Sequence, residues 1–278
     1  RPPAPLPGAA QLTMLDVGQG LAVVVRTAGH TLVYDMGVGW PSGFNTGTVV
    51  VAPYLRHRGV GAVDIAMVSH ADQDHAGGLE GLAADLPVRR VLSGEPQALD
   101  APAGVAAEAC RAGDHWRWDG VEFRVLHPSG PAQEGNDASC VLHVAAGGAS
   151  VLLTGDIEAG VEAALVAAVP GALAADVLLA SHHGSDSSST AAFLRAVDPD
   201  WVWFSAGYAN RFGFPSADVV ARVRALGAAA ASTATDGGVT LRLPAQPGPL
   251  VPTGAREVRQ RLWRHRPRPA DATSRAPP

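Results

Sequence analysis

The sequence predicts an α/β protein in which two β-sheets pack face to face with helices outside. Two observations lead there. Short apolar runs separated by glycine-containing turns fill the first forty residues, whereas later strands alternate with segments of helical spacing. That order partly recurs in the second half of the chain. A length of 278 residues, 47% of them hydrophobic, is ample for a sizeable core.

Taken in order, QLTMLDVG (11–18), LAVVVRT (21–27) and TLVYDMG (31–37) read as three consecutive strands, the first hairpin turning near Gly18 to Gly20. VDIAMVSH (63–70) is a continuous apolar strand ending in polar residues, and GLEGLAADL (78–86) has helical spacing. VRRVLSG (88–94), VEFRVLHP (121–128), SCVLHVAA (139–146) and SVLLTGD (150–156) are strands, with a hairpin turn at Ala146 to Ala149. EAGVEAALVAAV (158–169) is a helix, DVLLASHHG (176–184) a strand and TAAFLRAV (190–197) a helix. WVWFSAG (201–207) is a strand and ADVVARVRALG (217–227) a helix.

Composition bounds the rest. No stretch offers the roughly 18 uncharged apolar residues of a membrane span, so the chain as given is expected to be soluble. All 21 basic residues are Arg, which reads as coding bias. Cys110 and Cys140 alone supply neither a disulfide framework nor a cysteine zinc site. Residues 256–278 carry a net charge of +5, which leaves −10 on 1–255. A body at −10 is a poor non-specific partner for phosphates. The expected organisation is a leader over 1–10, a working domain over 11–243, and a Pro/Arg-rich linker and tail over 244–278, largely disordered, in which AREVRQRLWRH could form a short basic helix. An opening Arg1 in place of Met suggests a piece of something longer.

Three strand ends carry chemistry. In Ser69-His70-Ala71-Asp72-Gln73-Asp74-His75-Ala76-Gly77-Gly78, four potential metal ligands fall within six residues between an apolar strand and a helix. Alternate residues of an extended segment share a direction, so His70, Asp72 and Asp74 can converge while His75 turns to a neighbouring site. Thr154-Gly155-Asp156-Ile157-Glu158 places Asp156 at a second strand tip, as a ligand or as a helix N-cap. Ser181-His182-His183-Gly184-Ser185 ends a third. Together they supply enough ligands for two ions bridged by one carboxylate and a water.

These motifs resemble a known family. HADQDH is close to the H-x-H-x-D-H signature of the metallo-β-lactamase fold, with Asp72 in place of its second His. LDVGQG (15–20), LVYDMG (32–37), APYLRHRGV (52–60), NDASCVL (136–142), LLTGDIE (152–158), SHHGSDSSS (181–189) and SAGYANRFGFP (205–215) are similar, in order, to the metallo-β-lactamase-like domain of ComEC-type DNA-uptake channels of natural competence. The resemblance implies a four-layer αββα sandwich and two divalent metal ions, with Mn²⁺ favoured over Zn²⁺ and Mg²⁺ because Asp72 hardens the first site.

By position, the resemblance assigns His70 and Asp72 to the first metal, Asp74 and His75 to the second, Asp156 to the bridge and His182 to the final ligand. His183 becomes a substrate or proton-transfer group. Asp137 is the candidate for a ligand that the fold supplies as His; Asn136 and Ser139 beside it could bind phosphate, as could Ser185 to Ser189. Asn210 falls in the last motif as a substrate-binding candidate, where Phe214 replaces an expected His and Arg211 or His183 would have to substitute. Asp35 is expected to orient a ligating His, with Asp16 and Gln19 as candidates for similar support. His127 and His143 are minor ligand candidates; solvated or structural roles fall to His30, His57, His115 and His265.

The implied activity is metal-dependent hydrolysis of DNA phosphodiesters, with Asp74 or Asp72 accepting a proton from water and His183 protonating the leaving oxygen. The implied setting is a monomeric soluble domain of a multi-span cytoplasmic-membrane channel, on its outer face, degrading the strand that is not imported. Two alternatives remain open at this level: a metallo-hydrolase of a small phosphodiester, ester or lactone, and a non-catalytic DNA-guiding domain.

Overall fold

The computed structural model describes residues 2–130 and 133–258. Its strands, in chain order, are β1 Ala10–Met14, β2 Val23–Arg26, β3 Thr31–Tyr34, β4 Ile65–Val68, β5 Val91–Ser93, β6 Ala107–Ala109, β7 His115–Trp118 and β8 Val121–His127, then β9 Val141–Ala146, β10 Ala149–Leu153, β11 Val177–Leu179, β12 Trp201–Phe204, β13 Ala229–Ser232, β14 Val239–Leu243 and β15 Thr253–Gly254. The longer helices and those near the site are α1 Ala52–His57, α2 Gln73–Ala76, α3 Leu79–Asp85, α4 Ala159–Ala168, α5 Ala191–Val197 and α6 Ala217–Leu226.

Two sheets result. One runs β15-β14-β1-β2-β3-β4-β5-β6 and the other β13-β12-β11-β10-β9-β8-β7. Strands buried on both faces cannot alternate polar and apolar residues, which is why IAMV of β4 and VLL of β11 are continuously apolar. Their side chains feed three apolar layers. Leu12, Tyr34, Met67, Phe123, Leu153 and Trp203 meet between the sheets. Val33, Leu55, Val68 and Leu82 fill the space under α1 and α3, and Leu152, Leu165, Phe193, Val202 and Val223 that under α4, α5 and α6. Helix, sheet, sheet, helix is the expected four-layer αββα sandwich.

Local signals set the helix ends. Ser216 caps α6 by accepting the amide of Val219, and Gly227 at φ +86° closes it in the left-handed conformation. Thr190 caps α5 in the same way through Phe193 N.

The expected boundaries differ from those observed. Residues 2–9, read as a leader, join the sandwich where Gly8 N donates to Asp119 O at 2.6 Å, and β1 already begins at Ala10. Beyond Leu243, in the stretch read as linker, β15 pairs with β14, and Arg256 donates to Asp16 Oδ2 at 3.1 Å. The expected basic helix is described only over Ala255–Val258; the remainder and His265 lie outside the described residues. The two cysteines are joined as Cys110–Cys140, a single buried cross-link inside the inter-sheet core. No helix among the described residues is long and apolar enough to cross a membrane.

Candidate metal centre

Parallel pairing decides where the polar clusters go. β3 and β4 are parallel, as are β10, β11 and β12, and β9 runs antiparallel to β10. The C-terminal ends of the parallel strands and the start of β9 therefore share one rim, the end at which open α/β sheets present ligands. Asp35 follows β3, Ser69 to His75 follow β4, Asn136 to Ser139 precede β9, Asp156 follows β10 and His182-His183 follow β11.

At that rim the backbone is bent hard. His182 and His183 sit at φ +51° and +56°, and Asp35 at +55°, a conformation that side chains other than glycine rarely adopt. Gly155, at φ +55°, lets the segments close up: a Cβ there would lie 2.8 Å from Ser139 and Ser69.

Two overlapping groups emerge among the described residues: His70, His75 and Asp156, and Asp74, His75 and His183, each with ligand atoms within 4.8 Å of one another. Asp156 is the hub. Its Oδ2 lies 3.2 Å from His75 Nε2, 3.5 Å from His183 Nε2 and 3.9 Å from His182 Nε2. Asp74 Oδ2 is 3.2 Å from His183 Nε2 and its Oδ1 is 3.9 Å from His75 Nε2.

The outer nitrogens of these rings are already assigned. His183 Nδ1 lies 2.8 Å from Ser205 O, which can only accept, so Nδ1 carries the proton and Nε2 of the neutral ring is a bare lone pair. His75 Nδ1 lies 2.8 Å from Asp35 Oδ2, with the same consequence. Ser139 Oγ accepts Asp156 N at 3.0 Å and lies 3.3 Å from His70 Nδ1, and its second lone pair suits that ring N–H. An oxygen behind each imidazole, a carbonyl for His183, a carboxylate for His75 and the hydroxyls of Ser69 and Ser139 for His70, orients the ring as ligating histidines require. Nε2 of His70, His75 and His183 and Oδ1 of Asp156 are buried and lack a hydrogen-bond partner. Atoms of this kind are costly to bury unless something else meets them, and the donor set fits divalent metal ions.

Electrostatics agree. Burial opposes charge on His75, but the carboxylates of Asp156 and Asp35 outweigh it and raise its pKa well above the ordinary value. For His183, too, burial is outweighed by Asp156 and Asp74, and its pKa rises. Asp156 stays strongly acidic despite burial because His75 and His183 face it. Asp74 is held low against burial by His183 and His75, and Asp72 by the His70 imidazole beside it. Without a cation, protons on the imidazoles balance the carboxylates.

Several expected site residues lie elsewhere. Of the histidine pair, His183 enters the cluster, while His182 Nδ1 pairs with Glu158 at 3.3 Å and the side chain remains 23% exposed. Asp72 points outward, 60% exposed, with Oδ2 3.5 Å from His70 Nε2, and belongs to neither group. Asp137 Oδ1 accepts Glu158 N at 3.2 Å and likewise joins neither. Ser139, expected to meet substrate, is fully buried with its hydroxyl engaged behind the cluster. Asn210, also expected to meet substrate, spends Nδ2 on Gly207 O and Phe214 O and Oδ1 on Phe212 N and Phe214 N, shaping its own loop. Asp16 supports no imidazole; it accepts Gly18 N and Arg256. Gln19 Oε1 accepts Gly207 N, fastening the same loop. Asn136 Nδ2 donates to Glu158 Oε1, and Ser185 Oγ lies 3.1 Å from Ser187 Oγ. His127 and His143 bond to the carbonyls of Asp137 and Ala174, outside both groups.

Glu158 and Ser69 were not singled out from the sequence. Glu158 gathers Asn136, Ser187 and His182, and Ser69 hydrogen-bonds Asp35 through N and Oγ. Their only signal is adjacency: Ser69 precedes His70, and Glu158 lies two residues after Asp156.

Residues 15–202 match the family described as the metallo-beta-lactamase superfamily. Among curated proteins, the chain is 40% identical over 228 residues to Competence protein ComA of Neisseria gonorrhoeae, covering 82% of this chain and 31% of that protein. It is 35% identical over 230 residues to Recombination protein 2 of Haemophilus influenzae, covering 82% and 28%. The chain thus spans about a third or less of the length of these relatives, and they agree with the ComEC-type resemblance. Among solved structures, the metallo-beta-lactamase fold protein YhfI of Bacillus subtilis aligns with a TM-score of 0.52 at 10% identity, covering 87% of this chain and 99% of that one. The match begins at the loop after β1, takes in every residue of both groups and ends inside β12, and on that span the chain belongs to the metallo-beta-lactamase superfamily.

Proposed function

We propose that this domain is a metal-dependent nuclease of a DNA-uptake channel and hydrolyses the strand that is not imported. The observation that carries the reading is the pair of ligand groups that share His75 and centre on Asp156, with three buried Nε2 atoms aimed inward. Similarity to proteins named for competence and recombination supports DNA as the substrate. In this reading His70, His75 and Asp156 would hold one ion, and Asp74 and His183, with Asp156 beside them, the other, because the single free lone pair of His75 Nε2 serves one ion only. With Asp72 outside both groups, Mn²⁺, Zn²⁺ and Mg²⁺ are all candidates.

Divalent ions bound there would polarise a phosphoryl oxygen and lower the pKa of an attacking water. The chain's own groups handle protons and positioning. Asp74 is one-third exposed while the other cluster carboxylates are buried, so it is the group placed to accept the proton from water. The two histidines exchange the roles assigned by motif position: His183 binds, and His182, at the rim with Glu158 beside it, protonates the leaving oxygen. Asp72, outside the cluster and exposed, adds negative charge at the mouth of the site, 3.5 Å from His70 Nε2.

The domain is proposed to stand on the outer face of a cytoplasmic membrane, joined to a multi-span channel. The Cys110–Cys140 bond supports that placement, because disulfides persist in oxidising compartments.

The test is cleavage of labelled DNA by the wild type and by Asp74→Asn and His183→Ala, each with Mn²⁺, Mg²⁺ and Zn²⁺. Cleavage by the wild type and a loss of about 10²-fold or more in each variant are expected; a wild type silent with all three ions overturns the reading.

A further inference from the structure

The loop after β12 exposes Phe212 by 51% while fastening the backbone beneath it from several sides. Asn210 uses both ends of its amide on that loop, and Gly207 N is tied to Gln19. A large aromatic left in water on a rigid loop is a feature of recognition rather than of packing.

Its neighbours say what it faces. Phe212 and Phe214 stack at 5.5 Å between ring centroids and 17° between planes. Phe214 in turn stacks with His183 at 6.4 Å and 21°, and meets His182 edge-on at 5.8 Å. A ladder of roughly parallel rings therefore runs from solvent to the imidazole beside Asp74 and Asp156. The Arg211 guanidinium lies 4.8 Å over the Phe212 ring, putting a positive charge at the outer end of the ladder.

We propose that Phe212 is a base-stacking subsite for an unpaired nucleotide: the exposed Arg211 side chain, which covers the outer face of the ring in the strand-free protein, moves onto the backbone phosphate and yields that face to the base. The inference rests on the nuclease reading and narrows its substrate to strands with free bases. An aromatic face accepts any unpaired base, whereas bases in a duplex are already stacked on their neighbours. Phe214, at the position where the resembled motif has His, makes the ladder continuous.

The test uses a phosphorothioate single strand, which resists cleavage, carrying the fluorescent base 2-aminopurine. Binding to the wild type in Mn²⁺ is expected to quench its fluorescence. Phe212→Ala should lose the quench and bind about tenfold more weakly, the order expected for one stacked base, while Phe212→Trp retains both. A strand abasic at the labelled position should bind the wild type as weakly as the intact strand binds Phe212→Ala. Equal binding of intact and abasic strands by the wild type overturns the subsite. So does a Phe212→Ala protein that still quenches, or one whose only change is in oligomeric state, which would make the loop a contact between copies. Cleavage of an ordinary strand by the wild type separates the two levels: cleavage without quenching removes the subsite alone, and quenching without cleavage removes the nuclease reading alone.

Discussion

Asp35 Oδ2 lies 2.8 Å from His75 Nδ1, and neither side chain is exposed at all. The same carboxylate accepts Ser69 N at 2.6 Å and Ser69 Oγ at 2.7 Å. Three donors thus converge on one carboxylate, which can only accept. Asp35→Asn would turn an NH₂ donor against at least one of them. The expected result is a destabilisation of about 2–3 kcal/mol in urea unfolding and a roughly 10- to 100-fold loss of Mn²⁺ affinity in chelator competition. Unchanged affinity would show that the pair serves folding only.

Gly155→Ala tests the closeness of the rim. The substitution asks for a left-handed backbone at φ +55° and sets a methyl 2.8 Å from two serines whose own backbones are fixed. A loss of about 2 kcal/mol or more is expected, read as a lower urea midpoint at unchanged m-value. A midpoint equal to that of the wild type would mean that the three segments are looser than their spacing shows.

The cross-link between Cys110 and Cys140 closes a span of 30 residues in the unfolded chain. Loop-closure entropy for that length is worth about 3–4 kcal/mol. The Cys110→Ala/Cys140→Ala protein should unfold at correspondingly lower denaturant. The wild type should fall to a similar midpoint when reduced. If reduction leaves the midpoint where it was, the bond contributes nothing to stability.

Asp119 gives a pH dependence far from the cluster. Its carboxylate accepts Thr27 Oγ1 at 2.6 Å, Gly29 N at 2.7 Å and lies 3.1 Å from His30 Nδ1, and hydrogen bonding lowers its pKa from 3.8 to about 2. A depressed folded-state pKa means that the unfolded chain binds the proton first as pH falls. The stability it adds is complete above about pH 4 and drains away as pH drops towards 2. The difference in midpoint between the wild type and Asp119→Asn should therefore be constant at neutral pH and shrink between about pH 4 and 2. A constant difference across that window would remove Asp119 as its source.

How far the fold could be read depended on burial symmetry. β4, β11 and the Val151–Leu153 part of β10 are apolar on both faces and are followed closely by His or Gly-Asp, so their limits and chemistry were legible. HWRW of β7 and AEA of β6 lie at sheet edges, half in solvent, and carry no such run. Thr253–Gly254 became a strand only because β14 offered an open edge. Residue types at the site were legible for the same reason as β4, since His70, Asp74, His75 and Asp156 follow buried strands directly. Direction was not. Whether His182 or His183 turns inward depends on two consecutive left-handed residues, and whether Asp137 reaches an ion depends on Glu158 N lying beside it. Neither is a property of spacing.

The ligand groups are assembled from strand ends of both sheets, with His75 from one and Asp156 and His183 from the other. An ion held there would grip the native sandwich and have no comparable grip on an unfolded chain. Occupancy and folding would then form one equilibrium. Each tenfold rise in free ion above its dissociation constant would add about 1.4 kcal/mol to the unfolding free energy of the entire domain, so the melting temperature becomes a gauge of metal supply.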